Sequence, residues 1–288
     1  MRAMVEPALR DVYRRYLRVL GIDGAPQGIE GLRRLVLRHV TRVPFENVSK
    51  LLLYEREGAG RPITLGEFLD GLERRDLGGT CYSSNPFLWE LLRALGYDAD
   101  LLAADMARPD VHTSIRVRLD GREYHVDAGY AAPFRYPIPL DPLPHAIANG
   151  RDRYVFDRAA RAGSYELAMF VKGQRRHGYV VHPPPRSPGF FAATIVGSFE
   201  PRSTFMRCLR LSRIFEDGSA DVRNRMLIVA RGDSCTETML NSMRELRDAV
   251  ASVLMMPRCP VEDAVAILER LTGQAFFGAE HWADSLDD

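Results

Sequence analysis

Cysteine is scarce in this chain, and the few present do not cluster. Cys81, Cys208, Cys235 and Cys259 are scattered over 288 residues without a CxxC pair, so neither a disulfide framework nor a zinc-ribbon spacing is available. Thiols so dispersed fit a reducing cytoplasm, where each is either core filling or a nucleophile. An excess of one charge is missing too. The 39 basic and 38 acidic side chains leave a formal charge of +1, which removes the electrostatic footprint a nucleic-acid partner requires. Arg heavily outnumbers Lys, but runs such as Arg74-Arg75-Asp76 and Arg151-Asp152-Arg153 mix the signs and read as solvated surface. No stretch approaches the roughly 20 consecutive apolar residues that span a bilayer, so no membrane partner is expected. Glu6, Arg10 and Asp11 precede any apolar run, which is not the pattern of a secretory leader. The histidines and remaining cysteines show no metal-ligand spacing, and no metal is expected.

What is there is the material of a globular protein: 46% hydrophobic and 27% charged residues, in a chain long enough for a substantial core and two or three sub-domains. Leu9, Val12, Tyr13, Tyr16, Leu17 and Leu20 recur at helical spacing before Gly21, and Leu32, Leu35, Val36 and His39 do so again between Glu30 and Val40. Thr64 followed by Glu67 is a capping-box signature opening a third helix. An apolar stripe at Leu88, Leu91, Leu92 and Leu95 then follows Cys81 and stops at Gly96. The middle third alternates as strands over Ile115–Leu119, Glu123–Val126, Tyr165–Val171 and Phe190–Val196, with proline-rich loops at Pro137 to Pro144 and Pro183 to Pro185. Strands near Phe205–Phe215 and Met226–Ala230 and helices near Thr238–Met255 and Val261–Leu271 complete the pattern, and Asp284 to Asp288 read as a frayed tail. Helices, then strands, then a mixture of both argue for an α+β fold rather than a doubly wound parallel sheet.

The residues that carry chemistry lie in two segments. In Gly78-Gly79-Thr80-Cys81 the helix that follows places the thiol at its N-terminus. There the dipole and the free N–H groups favour a thiolate and can receive the oxyanion formed when it attacks a carbonyl. The second segment runs from His112 to Asp127. Asp120-Gly121 between two alternating runs signals a two-residue hairpin, which pairs Leu119 with Arg122, Val117 with Tyr124 and Ile115 with Val126. Those apolar residues share one face, and the other carries His112, Ser114, Arg116, His125 and Asp127. His112 becomes the diagonal neighbour of Asp127, about 7–8 Å away between Cα atoms, within reach of a side-chain hydrogen bond. Such a carboxylate fixes the imidazole's tautomer and leaves its other nitrogen to take the thiol proton. His125, on the same face, is the competing base. Cys208, Cys259, His39 and His145 read as packing or solvated residues, and Phe190-Phe191 and Phe276-Phe277 as core.

At these residues the chain resembles the arylamine N-acetyltransferase family over nearly its whole length. The resemblance is carried by Arg42-Val43-Pro44-Phe45-Glu46-Asn47, by Gly78 to Asn85 around Cys81, by Val126-Asp127-Ala128-Gly129-Tyr130, and by Pro201-Arg202-Ser203-Thr204-Phe205, in that order. It implies a helical domain bearing the cysteine over 1–96, a β-barrel bearing the His and Asp over 97–197 and an α/β lid over 198–288, around a papain-like catalytic core. It implies Cys81 as nucleophile, His112 rather than His125 as base, Asp127 as the orienting acid, and Phe45 and Tyr130 beside the acceptor. It implies no permanently held cofactor, acetyl-CoA or another acyl thioester as the co-substrate, and an arylamine or related amine receiving the acyl group in a ping-pong reaction. The family usually has Arg, then Glu or Gln, then Gly at the positions that here hold Leu77, Ser83 and Ala131. These departures bear on substrate, and they keep open an amide synthase of the same fold fed by an acyl carrier protein. A cysteine hydrolase and a binding protein on an inactive scaffold are the more distant alternatives.

Overall fold

The computed structural model of the chain describes residues 9–150 and 152–277. Glu6, Arg151 and the acidic stretch Asp284 to Asp288 lie outside them. The first third is helical: α1 (Asp11–Leu20), α2 (Gly28–Arg42), α3 (Val48–Glu57), α4 (Leu65–Arg75) and α5 (Cys81–Ala94), with a two-residue strand β1 (Phe45–Glu46) between α2 and α3. The capping box forms as the sequence requires: the Thr64 hydroxyl accepts from the Glu67 N–H while the Glu67 carboxylate accepts from the Thr64 N–H. A cap of this kind is worth about 1 kcal/mol.

The middle segment builds a nearly closed barrel of eight strands: β2 (Asp98–Asp105), β3 (His112–Leu119), β4 (Arg122–Val126), β5 (Ile138–Pro139), β6 (His145–Asn149), β7 (Asp152–Arg158), β8 (Tyr165–Val171) and β9 (Gln174–Pro185). Their spatial order is β5-β4-β3-β2-β9-β8-β7-β6. The β3–β4 hairpin has the register expected from Asp120-Gly121, with Leu119 opposite Arg122, Val117 opposite Tyr124 and Ile115 opposite Val126. Both turn residues have positive φ, as a type I′ turn needs. Because side chains alternate along a strand, β2 serves two cores at once, while β3 turns its apolar residues to the helices. Ala99, Leu101, Ala103, Ile115 and Val117 pack toward the helices, whereas Leu102 and Ala104 point into the barrel with Phe134, Phe156 and Leu167.

The last third adds α6 (Ala192–Gly197), the strands β10 (Arg210–Ile214), β11 (Gly218–Arg223), β12 (Met226–Arg231) and β13 (Ser234–Met239), then α7 (Met243–Ser252) and α8 (Val261–Thr272). These strands form a second sheet in the order β1-β10-β11-β12-β13, so the short strand from the helical third belongs to the sheet of the last third.

Three expectations are corrected. Phe190–Val196 is not a strand but a 3₁₀ turn (Pro188–Phe191) running into α6. Phe191, Ile195 and Phe199 lie four apart and are all buried in the helical core, so burial at helical spacing overrides a short apolar run. Pro183 to Pro185 are not a loop but the end of β9. The ladder with β2 shifts register there, so the missing N–H groups cost no regular pairing. Thr238 continues β13. The last helix pair instead begins at Met243, capped by the Ser242 hydroxyl accepting from the Glu245 N–H. Among the described residues no helix is long and apolar enough to cross a membrane.

Candidate active site

Cys81 is the first residue of α5, with Thr80 as its N-cap. The N–H groups of Ser83 and Ser84 both donate to the Thr80 carbonyl. The N–H groups of Cys81 and Tyr82 have no intrahelical acceptor, as the first turn of any helix dictates. The loop before the thiol is held from α3's side of the molecule. Glu46, fully buried, accepts from the Gly79 N–H (2.6 Å) and the Ser49 N–H (2.7 Å), and its own N–H donates to the Gly79 carbonyl (2.9 Å). Burial pushes this carboxyl up, against the pull of those N–H donors. A Cβ on Gly78 would stand 2.1 Å from the Pro44 carbonyl oxygen, so only glycine lets the two backbones meet.

His112 opens β3, and the residues on both sides of it are tied to the first turn of α5. The Tyr82 hydroxyl donates to the Val111 carbonyl (2.8 Å), and the Thr113 hydroxyl donates to the Cys81 carbonyl (2.8 Å). The ring itself is buried and bonds through Nε2 to Asp127 Oδ2 at 2.7 Å. Burial disfavours the imidazolium, but the Asp127 carboxylate and then the Cys81 sulfur, as hydrogen-bonding partner and as charge, raise its pKa to about 10. Asp127 answers in the opposite sense: burial would raise it, yet His112 and Asn85 hold it at about 2. Four groups donate to this one carboxylate. Besides His112 they are Asn85 Nδ2 (2.9 Å), the Gly129 N–H (2.8 Å) and the Tyr179 hydroxyl (2.8 Å).

His125 is held between two tyrosines. Tyr179 donates to Asp127, so its oxygen accepts from His125 Nε2 (2.9 Å), and His125 Nδ1 accepts from the Tyr165 hydroxyl (2.9 Å). Burial pushes His125 down to about 4, with Asp127 opposing, and the ring is neutral. His39 is likewise a packing residue. Its ring links the hydroxyls of Tyr16 (3.0 Å) and Ser84 (2.8 Å), and burial pushes it down to about 3.

Of the two residues expected beside the acceptor, Tyr130 stands edge-on to His112 with ring centroids 5.8 Å apart, and its hydroxyl meets His177 Nδ1 at 2.6 Å. Phe45 packs edge-on against Phe205 at 5.8 Å. Among the described residues no ring contact joins Phe45 to Tyr130. Lys50, on α3, is buried, with its ammonium 3.8 Å above the Phe199 ring and 2.5 Å from the Ser198 hydroxyl. Burial lowers its pKa to about 7, while the charge of Cys81 raises it. No group of three or more His, Cys, Asp or Glu among the described residues converges as a metal site would.

A family model described as N-acetyltransferase matches residues 28–255, well over half of the chain. The chain belongs to the arylamine N-acetyltransferase family. The arylamine N-acetyltransferase of Mycolicibacterium smegmatis is 27% identical over 253 residues, which cover 82% of this chain and 89% of that protein. The solved structure of the Mycobacterium abscessus arylamine N-acetyltransferase superposes with a TM-score of 0.75 at 23% identity, covering 93% of this chain and 96% of that one. The Mycobacterium marinum arylamine N-acetyltransferase, solved in complex with CoA, does so at 0.74 and 21% identity, covering 90% and 97%. The α+β fold is thus the arylamine N-acetyltransferase fold.

The three departures from the family pattern have local explanations. Leu77 is buried in the helical core, so an apolar contact fills the place of a charged one. The Ser83 hydroxyl lies within reach of the Gly78 (3.0 Å) and Thr80 (3.1 Å) carbonyls and braces the loop from inside. Ala131 adopts φ 58°, a left-handed conformation that suits glycine. Ala131→Gly relieves that strain but loosens the unfolded chain, and it is expected to stabilise the protein by a net of about 0.5–1 kcal/mol. A thermal midpoint that falls in this variant contradicts the reading.

Sequence reasoning did not find Glu46, Asn85 or Tyr179 as positioning residues. One signal was available: Asn85 lies four residues after Cys81 and so shares its helix face.

Proposed function

We propose that this arylamine N-acetyltransferase family member moves an acetyl group from acetyl-CoA to an arylamine or related amine through a thioester on Cys81. The observation that carries the reading is the buried His112–Asp127 pair at 2.7 Å, with the flanks of His112 tied to the helix turn that begins at Cys81. Cys81 attacks the donor's carbonyl carbon, and the oxyanion accepts hydrogen bonds from the free N–H groups at the head of α5. The thioester C–S bond to the donor breaks, and CoA leaves as a thiol with the proton carried by His112. An amine nitrogen then attacks the acyl-enzyme. Its proton passes to His112, the new C–N bond forms, and the bond to Cys81 breaks to restore the thiolate. Phe45 and Tyr130 flank the acceptor. The solved relative with CoA supports the choice of donor. The reading also calls for a cytoplasmic setting, in which the four free thiols stay reduced.

Incubating the protein with acetyl-CoA and digesting it is expected to leave one acetyl increment, on the peptide containing Cys81. An arylamine should discharge it far faster than water does. Modification only by acyl carrier thioesters would move the assignment to an amide synthase. Discharge by water at the rate of amine would make it a hydrolase.

A further inference from the structure

The C-terminal ends of three helices meet the second sheet around a cavity of about 450 Å³, a size common among small-molecule sites. α1 contributes Arg18, α2 ends at Arg42, α4 contributes Glu73 and is closed by Asp76, and Arg213 reaches in from β10. Arg258, between α7 and α8, completes the charged lining. Pro44, Leu72 and Met256 supply apolar wall beside it. None of Cys81, His112 and Asp127 lines the cavity. It touches the loop before the thiol all the same: Asp76 stands two residues before Gly78, and Pro44 is the residue whose backbone Gly78 meets.

Part of this charge is spent on the fold. Helix C-termini attract cations, and two of the arginines serve them: Arg258 donates to the Glu73 carbonyl, and Arg213 Nη1 donates to the Arg42 carbonyl (2.8 Å). Both acids are taken as well. Glu73 pairs with Arg15, and Asp76 accepts from the Arg258 N–H (2.8 Å) and pairs with its guanidinium. What is left is positive charge. Among the described residues Arg18, Arg42 and Arg213 form no ion pair, although all three line one cavity. Arg18 and Arg42 are exposed at its rim, whereas Arg213 is half-buried, with Nε buried and unpartnered. Burial holds Arg213 below the ordinary guanidinium value; the charge of Asp76 opposes this and that of Arg42 adds to it. A half-buried cation set beside another cation is costly until an anion joins them.

We propose that this cavity is a second binding site, for a free phosphate monoester whose phosphate meets Arg18, Arg42 and Arg213 and whose apolar part lies on Pro44, Leu72 and Met256. A phosphate monoester carries a charge of about −1.5 to −2 at pH 7 and three strong acceptor oxygens. That suits several converging guanidinium forks better than the single charge of a carboxylate does. The site is independent of the acyl-transfer reading, and its occupancy can be measured without turnover. The phosphates of CoA offer the same chemistry from another source.

Calorimetry on the full chain, with AMP, adenosine and CoA as probes, separates these. Wild type should bind AMP at least about 30-fold tighter than adenosine, which lacks only the phosphate. Saturating CoA should leave that affinity unchanged. Arg213→Met should abolish the preference for AMP. Arg18→Gln, a change at an exposed residue without an ion pair, should weaken AMP by about 5-fold and keeps the test open where Arg213→Met fails to fold. Both variants should bind CoA as wild type does. Equal binding of AMP and adenosine by wild type overturns the proposal, and so does an AMP affinity unchanged in Arg18→Gln. Displacement of AMP by CoA, with both ligands weakened in the variants, overturns it in favour of a subsite for the donor.

Discussion

Cys81→Ala is expected to lower acyl transfer by about six orders of magnitude, to the level of substrates merely held in a cleft, while the thermal midpoint moves by no more than a few degrees. The proposed reaction has no second route, because each of its steps passes through a covalent bond to this sulfur. Cys208 and Cys259 are poor substitutes: burial pushes Cys208 up to about 11 and Cys259 higher still. The fold should tolerate the change, since the substitution removes one atom from the start of α5, and the Cys81 carbonyl still accepts from Thr113. Product formation at wild-type rate, or an acetyl group retained on another thiol, would refute the assignment of the nucleophile.

Asp127→Asn is expected to cost about 10³–10⁴-fold in the same assay, and here the fold should suffer too. All four partners of the carboxylate donate: His112 Nε2, Asn85 Nδ2, the Gly129 N–H and the Tyr179 hydroxyl. An amide offers one oxygen to those donors and turns its own N–H₂ toward the rest. At least one buried donor therefore loses its acceptor, at about 1–3 kcal/mol. The variant should also alter the response to pH. In the wild type the raised His112 contributes stability that is full below its ordinary value near 6.5 and lost as pH rises through about 10. Asp127, held down, contributes stability that is full above its ordinary value near 3.8 and lost as pH falls through about 2. In Asp127→Asn both windows should flatten, because the carboxylate that titrates at low pH is gone and burial then faces only the Cys81 sulfur as a partner that raises the ring. Thermal midpoints measured from pH 7 to 11 test this directly: an alkaline decline of equal size in both proteins contradicts it.

Much of the site was legible because its pattern is local. A two-residue turn at Asp120-Gly121 sets the register of β3 against β4, and that register brings His112 to Asp127 by counting alone. The capping box at Thr64 and the helix head at Cys81 are local too. What escaped depends on contacts between distant residues of unremarkable type. Glu46 meets Gly79 across 33 positions, Asn85 meets Asp127 across 42 and Tyr179 meets it across 52. No periodicity records such pairings, because each is fixed only when helix, barrel and second sheet have packed. The helix over 192–197 escaped for a related reason: a short apolar run has no period of its own, and the core chose it.

Asn47 has a consequence for how substrates enter. Its side-chain amide donates to the carbonyls of Phe205 and Cys208 and accepts from the Arg210 N–H, while the preceding residue grips Gly79 beside the thiol. The last third is thereby bolted to the loop that precedes Cys81 and cannot swing open like a jaw without breaking those hydrogen bonds. Under the proposed reaction, selectivity would reside in the side chains around Cys81, not in a domain that shuts behind the guest.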